Sequence, residues 1–186
     1  WARRYDELNT ELLGKTLLII GFGRIGTRVA KRCLAMEMTV EVYDPYVPAQ
    51  SVRAAGCKPV ADLDSALPRV DYVTLHCPKT PETAGMFDAA RIARMKPSAR
   101  LINTARGGLV DEDALAARLH TGDLGGAALD AFSVEPLQQH SAVRTAPNVI
   151  LTPHIGAFTD QANATMGVMV VEDVARVLRN EEPVNS

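Results

Sequence analysis

Short runs of branched and apolar residues recur along this chain, separated by amphipathic stretches of helical period, and that alternation most constrains the fold. The clear runs are Thr16 to Ile20, Thr39 to Tyr43, Tyr72 to His76, Arg100 to Thr104, Gly126 to Asp130 and Val149 to Thr152, with a weaker one near Lys58 to Val60. Most are continuously apolar rather than alternating, as strands buried on both faces are. Helical patterns lie between them at Arg24 to Met36, Asp62 to Leu67, Asp88 to Met95 and Asp111 to His120, and a long one runs from Thr159 to about Leu178. Several open on an Asp or Thr able to cap free backbone N–H groups. Strands alternating with helices build an α/β fold of Rossmann type: a doubly wound, mostly parallel sheet with helices on both faces. The longest irregular stretch, residues 131–148, is of a length that usually carries function or mobility.

Composition narrows the function classes. The chain has 186 residues, 47% apolar and 23% charged, the proportions of one folded domain that buries a core. Twenty basic against twenty-two acidic side chains give a net charge of -2, so no global field draws it to nucleic acid or an anionic membrane. No apolar run approaches the roughly 20 residues of a membrane helix. Cys33, Cys57 and Cys77 are odd in number and lack the close spacing of zinc sites or redox dithiols, so no metal is expected and a reducing cytoplasm suits them.

Gly21-Phe22-Gly23-Arg24-Ile25-Gly26 follows the first apolar run and opens the first helix. In a dinucleotide-binding turn, Gly21 would permit the tight bend, Gly23 would let a pyrophosphate approach the backbone, and Gly26 would let helix and strand pack closely. The anion would sit at a helix N-terminus. Asp44, at the end of the second run, stands where a carboxylate accepts hydrogen bonds from the adenosine ribose and repels a 2′-phosphate. Pro45, Tyr46, Val47 and Pro48 follow with no Arg or Lys, which favours NAD over NADP.

In open parallel sheets, ligands bind beyond the carboxyl ends of the strands. Arg106, Glu135 and His154 each follow a strand there. An arginine fork matches a carboxylate, a histidine moves a proton near neutral pH, and a carboxylate orients that histidine. Together they suit redox of a carbinol next to an acid.

Ordered motifs then become specific: Glu11-Leu12-Leu13-Gly14-Lys15-Thr16, the Gly21 to Gly26 loop, Asn103 through Asp111, Ala128 through Phe132 with Glu135-Pro136-Leu137, and Leu151 through Ala157. Over nearly its whole length the chain resembles the NAD-binding domain of the D-isomer-specific 2-hydroxyacid dehydrogenases. The resemblance implies hydride transfer between NAD(H) and a D-2-hydroxy or 2-oxo acid. Arg106 would hold the substrate carboxylate, and His154 would act as acid and base with Glu135 as its partner. Asp130 would hold the nicotinamide carboxamide, and His76, Cys77, Pro78 and the Thr83 region would line the cofactor. Arg24, Ile25, Thr104, Ala105 and Gly156 belong to the same cofactor-binding segments. A homodimer paired through this domain is also implied. The alternatives are an NAD(H)-sensing interaction module like the corepressors that share this family's fold, or an isolated cofactor domain that binds NAD without turnover.

Departures from the family pattern are equally specific. Met36-Glu37-Met38 lacks a glycine at the first helix's end, so that turn should be strained. Phe158 stands where a small residue is usual, Lys79 where an apolar one is, and Leu18 replaces a glycine in the first strand. The family's substrate domain comes in two pieces flanking this one. Trp1 resembles the interdomain start and Ser186 falls near the last helix's exit, so residues 1–186 are expected to be the NAD-binding domain alone, with little turnover by themselves.

Overall fold

In the computed structural model, which describes residues 10–184, seven strands form one sheet: β1 (Thr16–Ile20), β2 (Thr39–Tyr43), β3 (Lys58–Pro59), β4 (Tyr72–Leu75), β5 (Arg100–Asn103), β6 (Gly126–Leu129) and β7 (Val149–Leu151). Trp1 and Ser186, on which the expectations about the chain's ends rest, lie outside the described residues. The strand order is β3-β2-β1-β4-β5-β6-β7 and every pairing is parallel. This is the doubly wound arrangement expected from the apolar runs. Order reverses at β1, and β1 and β4 open the crevice in which such sheets bind ligands.

The helices are α1 (Arg24–Ala35), α2 (Ala49–Ala54), α3 (Leu63–Ala66), α4 (Ala89–Arg94), α5 (Glu112–His120) and α6 (Asp160–Leu178), with a single 3₁₀ turn at Ala142–Arg144. Asp62, Asp88, Asp111 and Thr159 each accept a hydrogen bond from a first-turn amide, so the capping residues read from the sequence do cap. Alternate side chains of β1 feed two cores. Leu17 and Ile19 pack with Val40, Val42 and Ala30, whereas Leu18 and Ile20 pack with Val73, Leu75 and Leu101. Leu18 is fully buried and adds packing to the core.

The structure differs from the sequence reading in one added helix and in several element ends. Helix α2 was not expected: it is only six residues long, and it starts after Pro48, whose carbonyl accepts the Ser51 and Val52 amides. Strands β4, β5, β6 and β7 each end one residue before the apolar run does, so His76, Thr104, Asp130 and Thr152 fall just past the ladder. The expected strain at the end of α1 is present. Glu37 has φ +60°, and the Met38 and Glu37 amides donate to the carbonyls of Cys33 and Leu34, the pattern of a Schellman cap with a non-glycine residue in the left-handed position.

Contacts divide the chain into two units, residues 1–153 and His154–Ser186. The first holds the sheet and helices α1–α5. The second consists of the His154 turn, α6 and a short tail whose Val184 amide donates to Asp173 Oδ1 at 2.8 Å. No α6 residue is buried, and Val170, Val171 and Val174 face solvent. Among the described residues no helix is long and apolar enough to cross a membrane.

Candidate functional site

Parallel strands place all their carboxyl ends on one edge, so the turns after β1, β2, β4, β5 and β6 converge there. The glycine turn after β1 is set by backbone contacts on two sides. Gly21 has φ +92°, and a Cβ added there would lie 2.7 Å from the Cys77 amide nitrogen and the His76 carbonyl carbon. A Cβ at Gly26 would lie 2.1 Å from the Gly21 carbonyl oxygen and 3.3 Å from Ile19 Cγ2, so α1 packs on its own strand only with glycine there. A Cβ at Gly23 would meet nothing within 4 Å. Backbone contacts thus demand glycine at Gly21 and Gly26, and open space is left at Gly23. Gly23 is also the N-cap of α1 and makes no side-chain cap, and the first turn carries no acidic residue. Unlike the N-terminus of α5 or α6, that of α1 has no side-chain acceptor on its first-turn amides.

Asp44 closes the turn. Its Oδ2 accepts the Phe22 amide at 2.7 Å and its Oδ1 accepts the Tyr46 amide at 2.9 Å. Sequence reasoning assigned Asp44 to a ligand and missed this second duty. Each carboxylate oxygen keeps a further lone pair able to accept another hydrogen bond.

A cleft runs from this turn along the end of β4, lined by Gly21, Gly23, Asp44, His76, Cys77, Pro78 and Thr83 among others. Burial pushes the His76 imidazole below its usual pKa, so it is neutral at pH 7, and its Nε2 lies 3.1 Å from Thr74 Oγ1. Burial, with Asp44 nearby, raises the Cys77 thiol, which makes it a poor nucleophile. The Thr83 hydroxyl donates to the Pro78 carbonyl at 2.7 Å and accepts the Thr80 amide at 2.8 Å, so it fixes the turn that forms the cleft wall. Beneath it, Arg91 pairs with Asp64 at 2.9 Å and donates to the Met86 carbonyl. That arginine holds the Asp64 carboxyl below its ordinary pKa.

A second cavity joins the start of α1 to the turn after β5. Arg24, Ile25, His76, Cys77, Pro78, Thr104, Ala105 and Arg106 line it, so the structure brings these expected residues together. Buried Asn103 builds the turn: its Nδ2 donates to the Arg106 carbonyl at 2.9 Å and its Oδ1 accepts the Ala105 amide at 3.1 Å. Arg106 is exposed, and its Nη1 donates to the Ala105 carbonyl at 2.7 Å. No carboxylate pairs with its guanidinium among the described residues, so its fork remains available to an anion.

The turn after β6 is locked against the Arg106 turn. A Cβ on Gly107 would lie 1.7 Å from the Phe132 carbonyl oxygen, so only glycine lets the two backbones meet. Glu135 Oε1 accepts the Phe132 amide at 2.9 Å, and the Glu135–Pro136 peptide is cis. Asp130 is 5% exposed, and its Oδ1 accepts the Thr152 hydroxyl at 2.5 Å while its amide donates to the Asn103 carbonyl. The roles of Asn103 and Thr152 went unrecognised in the sequence, although both lie inside motifs quoted above. His154 and Gly156 belong to the second unit, where His154 is exposed with φ +55°, a conformation uncommon for non-glycine residues. The first unit thus unites Arg106 with Glu135's turn and the glycine cleft, and His154 opens the other unit. No cluster of His, Cys, Asp or Glu able to hold a metal occurs among the described residues.

Residues 1–156 match the family profile of the D-isomer specific 2-hydroxyacid dehydrogenase, NAD binding domain. A D-3-phosphoglycerate dehydrogenase of Synechocystis is 46% identical over 178 residues, covering 96% of this chain and 32% of that protein. One from Methanocaldococcus jannaschii is 44% identical over 181 residues, covering 97% of this chain and 34% of that protein. The chain therefore spans about a third of the length of the curated relatives it matches. Among solved structures, a D-isomer specific 2-hydroxyacid dehydrogenase from Lactobacillus delbrueckii in its NAD-complexed form is 30% identical with a TM-score of 0.84, covering 97% of this chain and 58% of that one. A glyoxylate reductase from Paecilomyes thermophila is 30% identical with a TM-score of 0.87, covering 96% of this chain and 53% of that one.

Proposed function

The chain belongs to the D-isomer specific 2-hydroxyacid dehydrogenase family, and from that we propose that it is the cofactor-binding part of an NAD-dependent oxidoreductase acting on a D-2-hydroxy acid and its 2-oxo counterpart. The observation that carries the reading is the glycine turn closed by Asp44, with open space at Gly23 and an α1 N-terminus that no side chain caps. These residues suit NAD. The pyrophosphate would lie on the Gly23 to Gly26 backbone, and the ribose would meet the remaining lone pairs of Asp44. Pro45 to Pro48 carry no basic residue to hold a 2′-phosphate, which favours NAD over NADP.

When bound, NAD supplies the carbon that accepts or returns a hydride. Arg106 pairs its guanidinium with the substrate carboxylate and draws charge toward the 2-oxo oxygen. His154 takes the hydroxyl proton in oxidation and returns it in reduction, with Glu135 assigned as its partner. Asp130, fixed by Thr152 and the Asn103 carbonyl, orients the carboxamide end of the cofactor. His76, Cys77, Pro78 and Thr83 form the cleft wall.

Residues 1–186 supply one wall of a site that needs water excluded by a second, so we assign binding without efficient turnover to this chain by itself. A homodimer and a cytoplasmic setting complete the reading; three unpaired thiols suit a reducing compartment.

The test is to titrate the chain with NADH and follow NADH absorbance with hydroxypyruvate, glyoxylate, pyruvate and 3-phosphohydroxypyruvate. Binding without oxidation is expected. Failure to bind NADH would overturn the reading, and oxidation at an ordinary rate would overturn its one-wall part.

A further inference from the structure

The turn that carries Glu135 is held from outside by a residue with no part in the chemistry described above. Glu112, the first residue of α5, reaches across 21 positions, and its Oε1 accepts the Ser133 amide at 2.6 Å. The preceding amide, Phe132, donates to Glu135 Oε1 at 2.9 Å. Two successive amides therefore donate to two carboxylates, one from α5 and one from the turn itself. Phe132 is at the same time pressed against Gly107, which adjoins Arg106.

We propose that Glu112 is a positioning residue that holds residues 132–135 in the conformation presenting Glu135, and that it ties this turn to the start of the helix following Arg106. The inference rests on the dehydrogenase reading for what Glu135 does, and on geometry alone for what Glu112 does. A charged acceptor makes the Ser133 bond short and strong. Without it, the Ser133 amide loses its carboxylate acceptor, while the Phe132–Glu135 bond and the Gly107 contact stay.

An acidic residue in a first helical turn has a plainer use, as a partner of the helix dipole. Two facts argue against that as the whole account. Asp111 already caps α5 by accepting the Ala114 amide, and Asp113 occupies the same first turn without bonding the 132–135 segment. Asp113 is thus an internal control of equal charge.

The experiment compares E112A, E112Q, E112D and D113A by amide hydrogen exchange on this chain. Kinetics and pH–rate profiles follow on the complete gene product with NADH and hydroxypyruvate. In E112A the Ser133 amide should exchange at least about tenfold faster. Its kcat should fall about tenfold or more, since misplacement of about 1 Å costs up to about a hundredfold. The pH–rate profile should move, with the NADH Kd within about twofold of the parent. E112Q, whose carbonyl oxygen can accept the same amide, should restore both readouts, and D113A should change neither. E112D keeps the charge but shortens the reach, so it should behave like E112A and replaces it if E112A fails to fold. Unchanged Ser133 exchange in E112A and E112D would overturn the proposal. So would faster exchange with kcat and pH profile unmoved, which would leave Glu112 a purely structural contact. A gene product that binds NADH but reduces no 2-oxo acid would count against the dehydrogenase reading, while the exchange data would still judge Glu112.

Discussion

Asp44 Oδ2 and the Phe22 amide, 22 residues apart in sequence, are joined by a 2.7 Å hydrogen bond that ties the end of β2 to the glycine turn after β1. One carboxylate therefore shapes the turn and, in the function proposed above, also meets the ribose. Asp44→Ala should weaken NADH binding about tenfold or more, because a hydrogen bond to a charged group contributes about 1.5–3 kcal/mol. It should also raise the NADPH-to-NADH affinity ratio. Fluorescence titration of both cofactors checks this, and an unchanged ratio would remove Asp44 from the ribose site.

Glu37 occupies the left-handed position that ends α1. That conformation costs a non-glycine residue about 1–2 kcal/mol, while glycine adds about 0.4–1 kcal/mol of unfolded-state entropy to overcome. Glu37→Gly should therefore stabilise the domain by about 0.5–1 kcal/mol, seen as a rise in Tm of about 2 °C. A lower Tm would mean that the Glu37 side chain makes a contribution larger than its strain.

Asp71 links three parts of the sheet: Oδ2 accepts the Thr16 amide at 2.8 Å, Oδ1 pairs with Lys96 at 2.8 Å, and the Asp71 carbonyl accepts the Arg100 amide. Burial pushes its carboxyl up, but Lys96 and the Thr16 amide outweigh this and hold it below its ordinary value of 3.8. The folded state therefore prefers the charged form. Its contribution is complete above the unfolded pKa and is lost as pH falls through the lower folded value. Asp71→Asn should cost about 1–2 kcal/mol at pH 7 and progressively less below about pH 4. Urea melts at pH 7 and pH 3 test this; an equal loss at both would show that charge is irrelevant there.

Gly107 faces the Phe132 carbonyl with no room for a methyl group. Gly107→Ala must separate the Arg106 and Glu135 turns, at a cost of about 1–3 kcal/mol or more. Gly122→Ala serves as the comparison: it carries a left-handed strain that Gly107 does not, with φ +73°, but has open space around it, and lies at the far end of α5. Loss of stability only in Gly122→Ala would contradict the packing seen at Gly107. Denaturant melts of both variants decide the matter.

Burial leaves a strong imprint on local composition, which is why the strands were legible: β1, β4 and β5 are apolar because both faces are covered or paired. The caps at Asp62, Asp88, Asp111 and Thr159 were legible for a similar reason, since each acts within three residues of itself. Even the strain at Glu37 could be read, as an absent glycine. By contrast, the double duty of Asp44, the Gly107–Phe132 contact and the Thr152–Asp130 bond join residues about 20 or more apart, and no local pattern records them. Helix α2 escaped because six residues are too few to show a period.

All seven strands run the same way, so the opposite edge of the sheet carries only service turns, such as Thr121 to Gly125 between α5 and β6. Gly122 there has free space around it, and the neighbouring Asp123 bonds to Arg118 of α5 and Thr121 of the same turn. For a biosensor designer, that turn is an attachment point: a reporter inserted beside Gly122 stands a whole strand length from the glycine cleft. It could signal occupancy of the cleft without touching it.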